Sequence, residues 1–341
     1  MSEIINIPSI QMVGHRAFRG LYPENTLIAF NKAYEANVDI IETDLQMTLD
    51  GVIVINHDSD TGRTWDKNLV ISESTWDQLR ILKNKSDPSQ RMMTLKDMLF
   101  WSLEHPNCQL MLDIKFTNDK LILLRIYSEL LDVKNDLDFW RSKLIWGVWL
   151  LDWFEFGVQT NVFKDFKIIV ITMSLDIVNQ FIDYSNKLNN PHYKLYGISV
   201  HFISTWTQYF RDIMVSVLLE KDVKLFLWTI NNKIDFKYIV GLPVYGTVTD
   251  NIITTKKYII EVYKEHDSLQ RKPEQDDVNR SLLGKYYTPV WNSWEGVRFY
   301  TYTKIYRFVA VLACSEWVDK EILGISFACL LFKLLKLIHF F

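Results

Sequence analysis

Short apolar runs rich in Val, Ile and aromatic residues recur along the chain, with helix-like segments between most of them. The runs predict strands near 12–16 (MVGHR), 40–49, 52–57 (VIVINH), 109–116 (QLMLDIKF), 143–149 (KLIWGVW), 167–173 (KIIVITM), 195–202 (LYGISVHF), 224–231 (KLFLWTIN) and 246–250 (GTVTD). Helices are expected near 25–37, 94–104, 119–132, 151–163, 175–188, 205–220 and 233–240. Alternation of this kind predicts a parallel sheet with helical crossovers. One pair of runs breaks the rule. Only Asp50 and Gly51 separate residue 49 from residue 52, too few for a parallel crossover, and Asp-Gly favours a two-residue hairpin turn. The 52–57 run therefore folds back on 44–49, leaving eight parallel strands, the number that closes a (β/α)₈ barrel.

The pattern stops near residue 261. Residues 262–285 include the charged stretch KEHDSLQRKPEQDDVNRS and read as a polar linker. Residues 286–306 are dense in Tyr and Trp, and the chain closes on ILGISFACLLFKLLKLIHFF. The sequence thus divides into a barrel (1–261), a linker (262–285) and an aromatic, hydrophobic extension (286–341).

At 341 residues and 48% hydrophobic, the chain can bury a sizeable core, which excludes a disordered polymer. A net charge of -3 provides no cationic field, so nucleic acid is not an expected partner. The three cysteines (Cys108, Cys314 and Cys329) form no paired framework, as suits a reducing, intracellular setting. Glu3 and Pro8 interrupt any secretory leader pattern at the N-terminus.

Candidate chemistry gathers at strand ends. A two-residue turn at 50–51 pairs residues that sum to 101, placing Asp44 opposite His57. Side chains two apart share a strand face, so Glu42 and Asp44 point together. His15 closes the first strand, Asp113 and Lys115 the third barrel strand, and Trp228 and Asn231 the seventh. Catalytic groups of such barrels sit at the C-terminal strand ends. Glu42, Asp44 and Asp113 offer hard oxygen ligands for one divalent cation, Mg²⁺ or Ca²⁺. Arg16 and Lys115 can neutralise phosphate oxygens, and two histidines can serve as general base and acid. The collection suits phosphodiester hydrolysis.

The blocks VGHRAFRGLYPENTLIAF (13–30), IIETDLQMTLDGVIVINHDSDTGRT (40–64), MTLKDML (93–99), LDIK (112–115), LWTIN (227–231) and YGTVTD (245–250) resemble, in order, the glycerophosphodiester phosphodiesterase family. Within it the chain is most similar to the fungal phosphatidylglycerol phospholipase C type. The resemblance implies a TIM barrel with a β-hairpin insertion after the second strand and a C-terminal hydrophobic extension. It implies His15 and His57 as the catalytic pair, Glu42, Asp44 and Asp113 as metal ligands, Arg16 and Lys115 as phosphate-binding residues, and Trp228 packed on a glycerol moiety. It also implies a phospholipid substrate cleaved to diacylglycerol and glycerol phosphate. Soluble deacylated glycerophosphodiesters are the alternative, and a non-catalytic lipid-binding barrel a remote one. Two features depart from the family pattern: Asp113 replaces the usual glutamate, and HDSDTGRT has altered spacing before Arg-Thr.

Asn25 is expected to cap the following helix, and Asp58 to orient its loop or a histidine. Trp149, Trp153 and Phe154 read either as braces at the barrel mouth or as helix–barrel packing, and His201 as lining the mouth or packing. In the final twenty residues, thirteen Leu, Ile or Phe side chains favour membrane insertion by about 4–8 kcal/mol. Lys333 and Lys336 oppose it by about 5–7 kcal/mol at a bilayer centre. The balance predicts an interfacial or re-entrant anchor rather than a spanning helix. The expected location is an intracellular membrane surface: lipid droplet, endoplasmic reticulum or mitochondrial membrane.

Overall fold

The computed structural model describes residues 10–270, 289, 291–313, 321–322 and 325–326. Nine strands form one sheet: β1 (Gln11–Gly14), β2 (Ile40–Met47), β3 (Ile53–Ile55), β4 (Gln109–Ile114), β5 (Leu144–Val148), β6 (Lys167–Thr172), β7 (Leu195–His201), β8 (Lys224–Trp228) and β9 (Val244–Thr249). Eight are parallel and run in the order β1-β9-β8-β7-β6-β5-β4-β2, and β1 pairs again with β2 to close the cylinder. Only β3 is antiparallel, hydrogen-bonded to β2 outside the closed ring. This is the (β/α)₈ barrel that the run count predicts, with the hairpin in its expected place.

The parallel strands are buried on both faces, which is why they read as nearly unbroken apolar runs. Val13, Ile40, Met111, Ile145, Ile169, Ile171, Phe226 and Val248 fill the barrel interior. A second, larger apolar layer lies between strands and helices, where Trp146, Phe154, Phe163 and Phe181 are fully buried. Each such side chain contributes about 1.5–3 kcal/mol by leaving water. Trp153 and Phe154 belong to this layer, Phe154 stacking on Phe181 with ring centroids 5.7 Å apart, so they do not brace the mouth.

The hairpin register differs by one residue from expectation. Observed pairs Leu45–Ile55, Gln46–Val54 and Met47–Ile53 sum to 100, not 101. The Thr48 carbonyl accepts from the Gly51 amide at 3.0 Å, and Gly51 then adopts φ +79°. A turn followed by a left-handed glycine makes a three-residue loop, 49–51, in place of the two-residue turn. Asn56, not His57, thereby lies opposite Asp44, its amide donating to the Asp44 carbonyl at 3.0 Å. His57 follows just beyond the strand.

Other differences are local. The 205–220 helix is split: a 3₁₀ turn covers Phe202–Trp206, and helical structure resumes at Phe210, whose amide donates to Thr207 Oγ1 at 3.2 Å. An additional helix, Leu137–Lys143, precedes β5. The last barrel helix, Ile252–Gln270, runs past the boundary expected at residue 261 and into the stretch read as linker. Trp294–Ala313 forms a helix whose Phe299 stacks on Trp206, with centroids 4.7 Å apart, and whose Arg298 pairs with buried Asp235 at 2.9 Å. This part of the aromatic segment packs against the barrel. Residues 327–341, which carry most of the expected anchor, lie outside the described residues. Among the described residues no helix is long and apolar enough to cross a membrane.

Candidate active site

Strand alternation builds the floor of the site. Ile40, Glu42 and Asp44 climb the inner face of β2, while Met111 and Asp113 climb that of β4, so apolar interior residues give way to acids toward the C-terminal ends. Asp44 and Asp113 are register partners on adjacent strands. Ligand oxygens of Glu42, Asp44 and Asp113 all lie within 4.8 Å of one another, and all three residues are buried. Burial, followed by the neighbouring Asp44 and Asp113 charges, pushes the Glu42 carboxyl well above the usual carboxylate range. Burial raises Asp113 as well. Burial opposes the charge on Asp44 too, yet Lys115, His57 and Arg16 together hold that group low. Three desolvated acids at one point repel one another unless a cation is shared, and an all-oxygen donor set fits Mg²⁺ or Ca²⁺.

Lys115 reaches this nest from just past β4, with Nζ 2.7 Å from Asp44 Oδ1 and 2.6 Å from Asp113 Oδ2. The remaining Asp113 oxygen accepts from the Trp149 indole at 2.7 Å. Trp149 thus belongs to the site, and both oxygens of the shortened acid have donors. Asn25 is not a helix cap: Thr26 occupies that position, and Asn25 is buried with φ +57°. Its amide donates to Asp44 Oδ2 at 2.8 Å and its oxygen accepts from Thr43 Oγ1 at 2.9 Å. Asparagine tolerates the left-handed conformation through its short polar side chain, and that tolerance was the signal to read.

The turn after β1 carries His15 and Arg16. Arg16 and Ala17 are both left-handed, with φ +49° and +68°. This strained pair turns the Arg16 amide onto Glu42 Oε2 at 2.7 Å, so strain is stored where the main chain meets the acidic nest. The Arg16 guanidinium donates to Glu24 at 3.0 Å and lies 3.7 Å from Asp44. Glu24 also binds Arg63, whose Nη1 is 2.8 Å from Oε2. Arg63 Nε in turn donates to Asp58 at 2.6 Å.

Both histidines are tethered alike. His15 Nδ1 is 2.7 Å from Asp250 Oδ1, and His57 Nδ1 is 3.0 Å from Asp58 Oδ1. Asn231 holds Asp250 through its amide at 2.9 Å. Each Nδ1 faces a carboxylate, so Nε2 is the ring nitrogen on the side away from the tether in both rings. Burial, then the Arg16 charge, keeps both imidazoles below their usual pKa, His57 more strongly.

His15, Arg16, Glu42, His57, Asp113, Lys115 and Trp228 all line one cavity of about 280 Å³ at the barrel mouth. Asp44 lies beneath it, buried by its partners. Met111, Ile171 and Val248 form its floor, and Trp149 and Trp228 meet edge to face, with centroids 6.4 Å apart, as one wall. His201 is buried behind Trp228, in edge-to-face contact at 5.1 Å, and does not line the cavity. Sequence reasoning missed Glu24 and Arg63 as members of the site, and of the two readings it gave Trp149 the structure bears out the one at the barrel mouth. The first two come from loops with no periodicity, although both lie inside the matched blocks.

A family model described as "Glycerophosphoryl diester phosphodiesterase family" matches residues 15–254. A glycerophosphodiester phosphodiesterase of Caldanaerobacter subterraneus is 24% identical over 250 residues, 70% of this chain and 93% of its own. A human lysophospholipase D is 22% identical over 286 residues, 73% of this chain and 85% of its own. Two Bacillus relatives align over shorter stretches, 41% and 29% of their length. Among solved structures, an Oleispira antarctica phosphodiesterase in complex with the product sn-glycerol-3-phosphate superposes with a TM-score of 0.59 at 16% identity, covering 73% of this chain and 96% of that one. Fold, acidic nest and family match agree, and this chain belongs to the glycerophosphoryl diester phosphodiesterase family, whose members hydrolyse phosphodiester bonds.

Proposed function

We propose that this protein cleaves glycerophosphodiesters, with Glu42, Asp44 and Asp113 holding one Mg²⁺ or Ca²⁺ ion and His15 and His57 exchanging protons with the substrate. The observation that carries the reading is the pair of carboxylate-tethered imidazoles beside a buried acidic nest in one cavity. A bound divalent ion would polarise the phosphoryl oxygens and offset the developing negative charge. Arg16 binds the phosphate from the rim. Lys115, held between Asp44 and Asp113, balances the acids and faces the same space. Trp228 packs on the glycerol carbons.

The attacking group is the glycerol hydroxyl adjacent to the phosphoester oxygen. One histidine takes its proton through Nε2 as the oxygen–phosphorus bond forms. The opposite phosphorus–oxygen bond breaks, and the other histidine, which enters this step as an imidazolium paired with its carboxylate, gives its Nε2 proton to the departing alcohol and is left neutral. Water then opens the cyclic phosphate with the two roles reversed, giving glycerol phosphate. The matching tethers on His15 and His57 suit each ring to both roles in turn.

The primary reading takes a deacylated or singly acylated diester as substrate, in keeping with the activities named for the relatives. The second reading is phospholipase C action on phosphatidylglycerol at a membrane or lipid-droplet surface. Its support is the outer face of the 294–313 helix, where Trp294 is 82% and Phe308 64% exposed, together with Trp291 just before it. Purified protein assayed with soluble glycerophosphodiesters and with phosphatidylglycerol vesicles, with and without chelator, tests both by analysis of the released products. Chelation is expected to stop turnover. Alanine at His15 or His57 is expected to lower kcat by about 10²–10⁴-fold while the melting temperature holds. Near wild-type turnover in either variant would remove the assignment.

A further inference from the structure

A second cavity, of about 470 Å³, opens beside the first, between the loop after β1 and the segment that follows His57. The two share Arg19 and Arg63, so they are neighbouring compartments of one cleft. Their chemistry differs. The first is walled by Trp149, Trp228, Ile171, Met111 and Val248, whereas the second presents Thr64, Ser86, Asp87 and Tyr22.

The cations at the junction are not equivalent. Arg63 is bound by Glu24 and Asp58, and Arg16 by Glu24. Arg19 is 31% exposed, and its nearest carboxylate, Asp250, lies 3.5 Å from Nε. Among the described residues no hydrogen bond reaches its Nη atoms. An arginine with two vacant donors, placed where two compartments meet, is suited to a substrate oxygen rather than to the fold.

In-line displacement puts the attacking and departing oxygens on opposite sides of phosphorus. With the attacking glycerol against Trp228 in the inner compartment, the departing alcohol must lie toward the outer one. We propose that the outer compartment is the leaving-alcohol site, that it takes a polyol such as glycerol or inositol, and that Arg19 fixes that alcohol. This rests on the diesterase reading and deepens it. A diacylglycerol would lay hydrocarbon against hydroxyl and charged groups and gain nothing from leaving water. A trimethylammonium head would need a cage of aromatic rings, and among the lining residues only Tyr22 supplies one. Vicinal hydroxyls instead find a cationic donor in Arg19 and acceptors in Thr64, Ser86 and Asp87.

The test compares kcat/KM of the full chain with Mg²⁺ on glycerophosphoglycerol, glycerophosphoinositol, glycerophosphocholine, glycerophosphoethanolamine and phosphatidylglycerol vesicles. The polyol diesters are expected to lead by about tenfold or more. Arg19→Gln, and Ser86→Trp at an exposed groove position, should each raise KM for the polyol diesters by about ten- to hundredfold and erase that preference. Equal or better efficiency on the choline, ethanolamine or diacyl substrates would overturn the proposal. So would a KM unchanged in both variants when circular dichroism shows them folded. Bis(p-nitrophenyl) phosphate separates the two levels of inference. Failure of wild-type protein on every diester, this one included, would defeat the diesterase reading itself, whereas its hydrolysis without a polyol preference would defeat only the groove assignment.

Discussion

Glu42 is a buried carboxyl within 4.8 Å of two others, with one oxygen committed to the Arg16 amide. Burial is the largest reason its proton is held, and the charges of Asp44 and Asp113 add to it. Because its pKa in the folded chain lies above the unfolded value near 4.5, the folded state binds the extra proton. Glu42 therefore costs nothing at low pH and destabilises progressively as pH rises toward its folded pKa. Glu42→Gln keeps the acceptor for the Arg16 amide and removes the charge. Without metal, this variant should melt higher than wild type near neutrality, with an advantage that shrinks toward pH 4.5. Added Mg²⁺ or Ca²⁺ should raise the wild-type melting temperature and leave the variant's little changed. Melting curves across pH, with and without metal, check both statements, and a Gln variant less stable than wild type at pH 7 would contradict them. Residue identities such as His15, Glu42 and Asp113 were readable from the sequence because strand alternation and family blocks coincide there. The Glu24–Arg63–Asp58 chain was not, because Glu24 and Arg63 sit in irregular loops 39 residues apart, with a helix and two strands between them, and such a pairing leaves no periodic trace.

The β2–β3 hairpin shows what patterning decides and what it leaves undecided. Alternation and the Asp-Gly pair place the hairpin, but a two-residue and a three-residue turn both use glycine, and the choice moves the register by one. Gly51 at φ +79° settles it, with open space around its missing Cβ. The cost of a side chain there is conformational rather than steric. Gly51→Ala should lower stability by about 1 kcal/mol, as read by denaturant midpoint, while kcat and KM stay near wild type. A large loss of activity would mean that the turn controls His57 directly. Asn25 illustrates the same limit at a helix start. Its place before an apolar stretch reads as a cap, yet the left-handed backbone turns it toward Asp44, and the acid it serves is distant in sequence.

At the scale of the whole molecule, the sequence break near residue 261 suggested a barrel separable from the C-terminal segment. The packing argues otherwise for the 294–313 helix. Phe299, Tyr306 and Val309 are buried, Phe299 covers Trp206 and contacts Tyr238, and Arg298 is within 2.9 Å of the buried Asp235 carboxylate. Removing everything after residue 290 would uncover two large aromatic rings and strip Asp235 of its cation, and burial of Phe299, Tyr306 and Val309 alone is worth up to about 9 kcal/mol as an upper figure. The truncated chain should melt well below the intact one and aggregate, so a shift out of the membrane fraction on deletion could not be read as loss of an anchor. The opposite face supplies the cleaner experiment. Trp294→Ser with Phe308→Ser alters only exposed positions and should leave the melting temperature within about 0.5 kcal/mol of wild type. If that face meets lipid, the double variant should float with anionic vesicles severalfold less than the intact protein while hydrolysing glycerophosphoglycerol at the same rate. Equal flotation of the two proteins would remove the helix from any membrane contact and leave residues beyond 313 to account for it.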